Sequence, residues 1–600
     1  MRGAVAVALV LSACASETPS YIELSAADLG RVDASVELID ASPDFRSDAF
    51  ILADTGSNVP GRMAIDSGGG EGNDGSAGES DAALRVPMGP WRSSLYPSDW
   101  TPNAEPDAEL FLHDFSYAGY HNGQARLGEF GPRNIVNVVD SGADATGSLD
   151  STDDVQHAID SVAETGGVIY FPPGLYRFDG ELRIRHSHTV LRGAGPELSK
   201  LYFSSFRDMR ERGHIDFEGS LATNLDVPLA VDKTSRANFV EVADAGDLRV
   251  GDEVSVGWVI SPEFVADHGM TGVWRTFNGS WQRFFRRTIT AVDRTCSPHR
   301  ISLDVPLRYP AQVRDGASLR RESGYLKEVG LESLGISDAV AAADAWSTVL
   351  ASAIRFTTVE DAWMRDVHSF ASPLSPTTGA YAGYHLQSRG VTVTNSKRVT
   401  VADSVLEYAE NRGGGGNGYL FEMTMSNEIL FRDDVGRKGR HNFIQNYGFG
   451  TTGCVWLRVH SYEGLCDLNL AFGEVGLAAT CTSEFHHSLA IANLVDSSVF
   501  DDGMKIVNRG TESTGSGHTG TENVLWNTQG TGDLISMQFG NGYVIGTQDQ
   551  SLQLNGTLST YPMAYAATAP DDFSEGLGNA AFLEPQSLYD DQLARRLAAL

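Results

Sequence analysis

The sequence is poor in positive charge and lacks long hydrophobic runs. Its 45 lysines and arginines face 78 aspartates and glutamates, so the formal net charge is −33. A field of this sign repels polyanions, which argues against nonspecific binding to nucleic acid or to an anionic membrane surface. After the N-terminus no window approaches the ~18 consecutive apolar residues of a membrane span, so we predict no transmembrane helix.

Cysteine is also scarce. The 5 cysteines form no CxxC pair, and no histidine pair has the spacing of zinc ligands, which argues against a zinc site. Cys14 follows an apolar run over residues 4–13 in the sequence LSAC, which looks like a bacterial lipobox. We predict a lipoprotein-type signal peptide at residues 1–14 with lipidation at Cys14. An ordinary signal peptide cut a few residues later is the alternative.

This reading predicts an exported protein, either a lipoprotein of the bacterial cell envelope (outer membrane or cell surface) or a secreted protein. Membrane contact is then expected only through the N-terminal lipid. An oxidising location permits disulfides, and we predict one between Cys466 and Cys481.

Glycine is abundant, with 64 residues against 22 prolines, as in β proteins dense in turns. Over residues 134–201, one amphipathic helix with an apolar face at positions 155–162 precedes a series of very short apolar groups. These groups occupy residues 168–171, 175–178, 182–184 and 189–191. Strands this short suit a chain that winds into coils and stacks each coil on the last.

The same stretch carries a pattern of glycines, acidic residues, apolar residues and turn residues, namely Gly142-Ala143-Asp144, Gly147, Asp150, Thr152, Val155-Gln156, Ala158-Ile159-Asp160, Gly166-Gly167, Phe171-Pro172-Pro173-Gly174, Tyr176, Leu182, Leu191 and Gly193-Ala194-Gly195. This pattern resembles the opening of the pectate-lyase-like (rhamnogalacturonase/epimerase-type) superfamily of right-handed parallel β-helices. The resemblance implies an all-β fold, a right-handed parallel β-helix built as a single-stranded solenoid. It does not identify the particular activity.

Composition divides the chain further. We predict an acidic flexible arm at residues 15–90, an N-terminal cap segment at 91–130 and the β-helix at 131–600, with a β-rich insertion at about 215–320 and a short C-terminal helix at about 586–600. Residues 113–123 (HDFSYAGYHNG) resemble a segment that precedes the first coil in carbohydrate-active members of the superfamily. This segment is expected either to cap the open end of the solenoid or to contact substrate.

Alternation along the strands suggests which side chains face outward. In residues 454–462 we expect Val455, Leu457 and Val459 to face the interior, which would turn Trp456 and His460 outward. Residues 431–460 hold five lysines and arginines against two aspartates, a net charge of +3. A positive band on an acidic solenoid would attract a carboxylated glycan.

The crowding of titratable residues in this part of the chain defines a candidate site. The predicted catalytic residues are Asp434, Arg440, His441, Arg458, His460, Glu484, His486, Asp502 and His518. The predicted substrate-binding residues are Lys438, Trp456, Tyr462, Trp274 and Trp281. The two tryptophans of the insertion have an alternative role in its own small core.

Three functions remain open at this stage. A polysaccharide lyase would use His441 or His460 as the base and arginines to stabilise the enolate of a uronate. Ca²⁺ bound by acidic side chains is a candidate cofactor. A glycoside hydrolase would use paired carboxylates, and Asp502 with Gly517-His518 resembles the polygalacturonase pattern. A glycan-binding or adhesive surface protein is the third hypothesis. In each case the partner is a polysaccharide, and the oligomeric state is not predicted.

Overall fold

The structure, a computed structural model, describes residues 89–102, 108–347, 350–379, 382–467, 478–554 and 570–599. The predicted signal peptide, Cys14 and nearly all of the predicted acidic arm lie outside these residues. Within the described ranges, no helix is both long and apolar enough to cross a membrane.

The chain is a right-handed parallel β-helix, as predicted, and each complete coil contributes strands to three faces. The first face contains β1 (Ile135–Asn137), β3 (Gly167–Phe171), β6 (Thr189–Gly193), β15 (Leu326–Lys327), β20 (Lys397–Ala402), β23 (Leu430–Arg432), β26 (Val455–Leu457), β32 (Leu494–Asp496) and β40 (Phe573–Glu575). The second contains β2 (Thr146–Asp150), β4 (Gly174–Phe178), β7 (Ser199–Phe203), β21 (Val405–Glu407), β24 (Val435–Arg437), β27 (His460–Tyr462) and β33 (Val499–Phe500).

Four longer strands run through both of these faces: β16 (Gly330–Ser337), β18 (Val359–Ser369), β36 (Val524–Gln529) and β38 (Tyr543–Gln548). The third face contains β5 (Leu182–Ile184), β8 (Gly213–Glu218), β17 (Ser352–Thr357), β19 (Arg389–Thr394), β22 (Tyr419–Thr424), β25 (His441–Gln445), β30 (Ser483–Phe485), β34 (Met504–Ile506), β37 (Asp533–Ser536) and β39 (Ser551–Gln553). A small parallel pair, β31 (Ala490–Ile491) and β35 (Gly520–Thr521), lies between the third and first faces.

The interior of the solenoid is one apolar cluster in which like residues stack on successive coils. Phe217 and Phe356 are parallel with ring centroids 4.6 Å apart, and Phe421 and Phe443 repeat this arrangement at 4.7 Å. Helix α1 (Thr152–Ser161) packs on the first coils through Val155, Ala158 and Ile159, the apolar face predicted from the sequence.

The corner between the first and second faces repeats a left-handed backbone residue. Such residues are Ser333, Asp366, Asp403, Asp433, Arg458, Ser497, Asn527 and Gly546, with φ between +51° and +70°. A left-handed residue bends the chain and interrupts the alternation of a strand. It therefore resets which side chains face inward on each side of the corner.

This reset corrects the predicted orientation of residues 454–462. Trp456 lies in the solenoid core against Phe485, whereas Val455 and Leu457 point outward into a second apolar cluster. Beyond the corner at Arg458, Val459 returns to the interior. The prediction for Trp456 was wrong because it assumed one unbroken alternation through the corner.

The first face is covered from outside by the segments at the two ends of the described chain. Residues 91–102, residues 108–118 and helix α5 (Leu588–Ala598) pack on outward-pointing Val455, Leu457 and Trp526. The Gly119 N–H donates to the Glu428 carbonyl at 2.9 Å, and the Tyr589 hydroxyl to the Ala118 carbonyl at 2.8 Å. The described parts of this segment, residues 91–102 and 108–130, thus lie along the side of the solenoid, where they cover apolar side chains of the first face.

A six-stranded antiparallel sheet interrupts the coils between β8 and β15. In spatial order it comprises β10 (Phe239–Val242), β13 (His299–Leu303), β12 (Trp281–Asp293), β11 (Glu253–Val259), β14 (Ser318–Ser323) and β9 (Ala222–Pro228). Its core also takes in Phe449 and Leu489 from the corner between the third and first faces. There the Arg286 N–H donates to Asn427 Oδ1 at 2.7 Å.

The remaining elements are short. They are helices α2 (Pro262–Asp267), α3 (Ala342–Ser347) and α4 (Glu512–Gly515), single 3₁₀ turns at Tyr120–Gly123, Val313–Asp315 and Ala580–Phe582, and an antiparallel hairpin of β28 (Leu465–Asp467) and β29 (Ala478–Thr480). A disulfide joins Cys466 to Cys481 at the base of this hairpin, with the two Cα atoms 5.5 Å apart.

The position of Trp456 makes a testable prediction about stability. We expect Trp456→Ala to lower the free energy of unfolding by about 3–5 kcal/mol, because it empties a large volume in the solenoid core. Tyr462→Ala, on the outward side of the same coil, should cost about 1 kcal/mol or less. Denaturant unfolding of both variants checks this, and equal losses would contradict the assigned orientation.

Candidate active site at the corner between the second and third faces

The predicted site residues do not share one stripe, but two groups of them flank one corner of the solenoid. Strands β28 and β29, with the Cys466–Cys481 disulfide beside them, lie between β27 and β30 in the chain order. On the second face lie His460 and Tyr462, with Asp502 at the corner itself. On the third face lie His441, Glu484 and His486, with Arg440 just before β25.

The first group lines an open cavity, which we call the cleft. It has a volume of about 560 Å³, and its walls include Tyr462, Glu463, Leu465, Thr480, Asp501 and Asp502. Cavities of this size accommodate small organic ligands such as one or two sugar units. The ring of Tyr462 lies 4.7 Å from that of His460 and offers an aromatic surface of the kind on which sugars stack.

Asp501 and His460 form a hydrogen-bonded pair in the cleft region. His460 Nε2 lies 3.0 Å from Asp501 Oδ2, and the two side chains are 41% and 36% exposed. The Thr531 N–H donates to Asp501 Oδ1 at 3.1 Å. Partial burial alone would raise the pKa of Asp501, but the bonds from His460 and Thr531 outweigh it and hold that pKa below its usual value. Asp501 is therefore ionised at neutral pH.

Asp502 is buried and is held by three neighbours. Its carboxyl group accepts hydrogen bonds from the Ser461 hydroxyl at 2.7 Å, Asn442 Nδ2 at 2.8 Å and the Gly464 N–H at 3.0 Å. A Cβ atom at Gly464 would stand 2.7 Å from this carboxyl, so the approach requires glycine. Burial dominates and raises the pKa of Asp502 to about 6.

Both residues of the Asp501-Asp502 doublet line the same cavity. Strand β33 ends at Phe500 and β34 begins at Met504, so Asp501 and Asp502 lie in the turn between them. Successive side chains in a turn do not have to point to opposite sides of the backbone, as they do on a strand. The result is one ionised and one readily protonated carboxyl side by side, the arrangement that separates the acid from the base in many hydrolases.

The second group, on the third face, is a buried cluster around Glu484. Lys505 Nζ lies 2.6 Å from Glu484 Oε2, His486 hydrogen bonds to Oε1, and His441 Nε2 stands 3.6 Å from Oε1. Burial alone would raise the pKa of Glu484. Lys505 and the two histidines outweigh that effect and hold the pKa well below its usual range.

The hydrogen bonds also assign the tautomers of the two histidines. Arg509 Nη1 donates to His486 Nε2 at 2.7 Å, so the proton of His486 is on Nδ1 and faces Glu484. His441 Nδ1 lies 2.6 Å from the Thr482 carbonyl and must carry the proton, which leaves a lone pair on Nε2. Burial lowers the pKa of His441 to about 4 and that of His486 to about 3, so both are neutral at pH 7.

Two histidines and one carboxylate within 4.8 Å are a ligand set that transition metals use. Here the set does not fit a metal, because Arg509 donates to the second nitrogen of His486 and Lys505 already neutralises Glu484. Ca²⁺ fits even less, since it takes six to eight oxygen ligands and this cluster supplies one carboxylate.

Four of the other predicted residues hold the fold. Asp434 is fully buried and accepts the N–H groups of Ser404 and Arg432, which closes the corner between the first two faces. Arg458 bonds to Asp433 and to Asp590, both at 2.7 Å, and so ties helix α5 to the solenoid. His518 contacts the His268 carbonyl under the insertion, and Trp274 lies in the core of the insertion. These positions correct the catalytic roles predicted for Asp434, Arg458 and His518, because their side chains are bonded to structural partners. Trp274 has the alternative role predicted for it, in the core of the insertion.

The remaining predicted residues occupy the surroundings of the corner or the insertion. Arg440 is buried beside His441 and donates to the Gly413 carbonyl at 3.1 Å. Lys438 pairs with Glu463 at 3.4 Å, at the rim of the cleft. Trp281 stacks with Arg320 on the insertion sheet, 3.7 Å from ring centroid to guanidinium, and not at the corner.

The sequence analysis missed Lys505, Arg509 and the catalytic potential of Asp501. Lys505 pairs in register with Glu484 on the next coil, although 21 positions separate them in the numbering. No local pattern marks such a pair, because the lengths of the intervening turns vary from coil to coil. The cleft itself was indicated by the Asp501-Asp502 doublet and by the prediction of His460 and Tyr462 as site residues.

Comparison with known proteins adds a family match over one part of the chain. Residues 135–219 match the model of the family described as rhamnogalacturonase A/epimerase, pectate lyase-like. Comparison with curated proteins found no match.

Several solved structures are similar at low identity. The tailspike protein gp49 from Pseudomonas phage LKA1 is 11% identical, with 70% of this chain and 64% of that chain covered and a TM-score of 0.42. The gp54 tailspike of Acinetobacter baumannii bacteriophage AP22, solved with a capsular saccharide, is 8% identical, with 71% and 60% covered and a TM-score of 0.39. This chain thus covers less than two thirds of either tailspike.

An exopolygalacturonase from Thermotoga maritima is 10% identical, with 76% of this chain and 94% of that chain covered and a TM-score of 0.31. All three TM-scores are below 0.5, so these likenesses carry no argument about the site. The family match and the three-faced stack of parallel strands agree with each other. The chain is a right-handed parallel β-helix, and its residues 135–219 match the family described as rhamnogalacturonase A/epimerase, pectate lyase-like.

Proposed function

We propose that the protein acts on a polysaccharide and hydrolyses glycosidic bonds in the cleft. The observation that carries this proposal is the pairing of Asp501 and Asp502 in one cavity, where the first is ionised and the second has a pKa of about 6. Glycoside hydrolysis requires one carboxyl that donates a proton and one carboxylate that acts as base or nucleophile. The family match, whose description names a rhamnogalacturonase, supports a carbohydrate as the substrate class.

Each residue of the cleft has a separate role in the proposed reaction. Asp502 is the proton donor to the leaving oxygen, and Ser461, Asn442 and Gly464 hold its carboxyl in place. Asp501 is the carboxylate partner, oriented by His460 and Thr531. Tyr462 provides the stacking surface for a sugar ring.

The charge of the cleft favours a neutral sugar at the cleavage point over a uronate. Asp501, Asp502 and Glu463 line it, while the nearby cations Arg437 and Lys438 are both paired with Glu463, at 3.0 Å and 3.4 Å. Arg437 also lies 3.7 Å from Glu407, so two glutamates balance the two cations and ionised Asp501 leaves the cleft with a net negative charge. This charge supports hydrolysis of a neutral sugar over β-elimination of a uronate in the cleft.

Substitution of the two carboxyls tests the proposal. We expect Asp502→Asn and Asp501→Asn each to lower kcat/KM on a hydrolysed glycan by at least about 100-fold, because each removes a proton donor or a base. The matched control is Asp434→Asn, a buried aspartate outside the cleft, which should leave kcat/KM of the folded protein unchanged. The assay is release of reducing sugar from a panel of neutral and acidic polysaccharides. Full activity in both cleft variants would refute the assignment.

The pH dependence gives an independent check. Asp502 must be protonated to act as the acid, and burial sets its pKa at about 6. We therefore expect kcat/KM to fall roughly tenfold per pH unit above about pH 6. In Asp502→Asn this limb should vanish from the residual activity, whereas in His460→Ala it should persist. A rate that stays flat from pH 5 to 8 in the unmodified protein would contradict the role of Asp502.

Polysaccharide lyase activity is the second candidate, and the cluster around His441 favours it. The neutral imidazole has its Nε2 lone pair unshared by a hydrogen bond among the described residues, and Arg440 and Lys505 stand nearby. A base beside cations is what removal of the proton α to a uronate carboxyl requires. In this case products would absorb ultraviolet light through their new double bond, and His441→Ala would abolish them.

The two activities are separable on the same samples. Hydrolysis gives reducing ends without ultraviolet absorbance and depends on Asp502. Elimination gives reducing ends together with ultraviolet absorbance, and it depends on His441. Retention on a glycan column without either product would identify a binding protein and refute both enzymatic proposals.

A further inference from the structure

The Cys466–Cys481 disulfide lies next to the cleft, and no step of the reaction above uses it. Both cysteines are buried, at 3% and 7% exposed. They belong to the connection between β27 on the second face and β30 on the third face. Leu465 and Thr480, which precede the two cysteines in the sequence, line the cleft. The disulfide therefore joins the two sides of the connection that form this part of the cleft wall.

Gly464 links the disulfide to Asp502 through the backbone. Its N–H donates to Asp502 Oδ2 at 3.0 Å, and its carbonyl accepts the N–H of Cys481 at 3.0 Å. A side chain at Gly464 would collide with the Cys481 carbonyl oxygen as well as with the Asp502 carboxyl, so the three groups are in direct contact. A displacement of Cys481 would therefore move a donor that the buried carboxyl accepts.

Other contacts hold only the ends of this connection. The Leu465 N–H donates to the Gly439 carbonyl at 2.9 Å, and the Ser483 N–H donates to the Gly503 carbonyl at 3.0 Å. Between these ends, β28 and β29 pair over three residues each, and an isolated hairpin of two strands is at best marginally stable. The disulfide is thus the covalent restraint that keeps Cys481 against Gly464.

The Gly464 donor also helps to decide where the acid carries its proton. Gly464 N–H and Asn442 Nδ2 both donate to Oδ2 of Asp502, at 3.0 Å and 2.8 Å, whereas Oδ1 is contacted by the Ser461 hydroxyl. An oxygen that accepts two hydrogen bonds is the carbonyl oxygen of a protonated carboxyl, so the proton is on Oδ1. Loss of the Gly464 donor would let the carboxyl turn and would free Oδ2 to compete for the proton.

We propose that the Cys466–Cys481 disulfide is a positioning element for catalysis, which keeps the Gly464 N–H on Asp502 and keeps Leu465 and Thr480 in the cleft wall. The inference rests on the proposed hydrolysis, in which Asp502 is the acid. It gives the cleft a redox requirement, because disulfides persist in exported proteins and are rare in reducing compartments. The chain gains its full activity only after the disulfide has formed.

Hydrogen exchange tests the positioning without any substrate. The comparison is between the full chain and the double variant Cys466→Ser/Cys481→Ser. We expect the amides of residues 464 and 481 to exchange at least about tenfold faster in the double variant, because their hydrogen bonds are no longer restrained. Strand β22, on the third face two coils before β30, should exchange at the same rate in both proteins. Equal rates at residue 464 would overturn the proposal.

A double-mutant cycle with Asp502 tests whether the disulfide acts through the acid. The substrate is the polysaccharide of the panel that the unmodified protein hydrolyses fastest. The two serine substitutions should lower kcat at least about tenfold in the unmodified background and change the residual kcat of Asp502→Asn less than about twofold, since no acid is left to orient. Cys296→Ser, a free cysteine in the insertion, is the matched control and should keep full kcat. Equal losses in both backgrounds would show general destabilisation and refute the positioning role.

Chemical reduction of the native chain gives a second route if the double variant fails to fold. Thiol labelling first establishes that Cys466 and Cys481 are reduced. We expect kcat to fall on reduction and to return when the disulfide re-forms, and an unchanged kcat in the labelled, reduced protein would contradict the proposal. If the panel contains no hydrolysed polysaccharide, the proposed function fails, while the exchange rates still show whether the disulfide holds Gly464.

Discussion

The structure depends on the register of one coil on the next. Each coil leaves the N–H and C=O groups of its strands unpaired unless the neighbouring coil presents the matching strand at the matching position. The same stacking places Phe217 on Phe356 and Phe421 on Phe443 inside the solenoid. The left-handed corner residues make this repetition achievable, because they turn the chain sharply and let the inward-facing row start again on each face. Even polar residues obey this constraint, since Asp434 is buried at a corner and bonded to backbone N–H groups of its own coil and the preceding one.

Three surfaces follow from this register. The first face points apolar side chains such as Leu457 and Trp526 outward, and the segments before the first coil and after the last one cover them. The corner between the third and first faces carries the insertion, fastened by Asn427 and by Glu428, which pairs with Arg287 and Arg308. The corner between the second and third faces holds the buried carboxyl of Asp502, and Glu484, His441 and His486 are buried beside it on the third face. The turns at this corner vary in length. Their side chains can take intermediate orientations, whereas side chains on a strand point either into the solenoid or out of it.

Burial shifts the pKa values of the carboxyl groups at this corner, and the charges of neighbouring groups decide whether each pKa rises or falls. The carboxyl of Asp502 is buried among neutral donors and keeps its proton to about pH 6, whereas Glu484, buried against Lys505, is held as an anion. Asp338 Oδ2 and both carboxyl oxygens of Glu410 accept no hydrogen bond among the described residues, and burial raises the pKa values of these two groups to about 7 and about 8. One solenoid thus offers a proton donor and an ion pair without any change of backbone architecture.

The sequence alone was sufficient for the fold class. The short strands and the glycine-rich turns of residues 134–201 reflect local constraints, namely strand length, turn chemistry and the apolar face of one helix, and these are visible within about 70 residues of chain. The inward or outward orientation of individual side chains could not be predicted from the local sequence in the same way. Trp456 could not be assigned to the core from alternation, because the corner at Arg458 resets the phase, and the pairing of Glu484 with Lys505 depends on turn lengths that no local pattern specifies. Only the tertiary structure decided which acids share a cavity, since neighbours across coils are set by the register of the whole stack rather than by proximity along the chain.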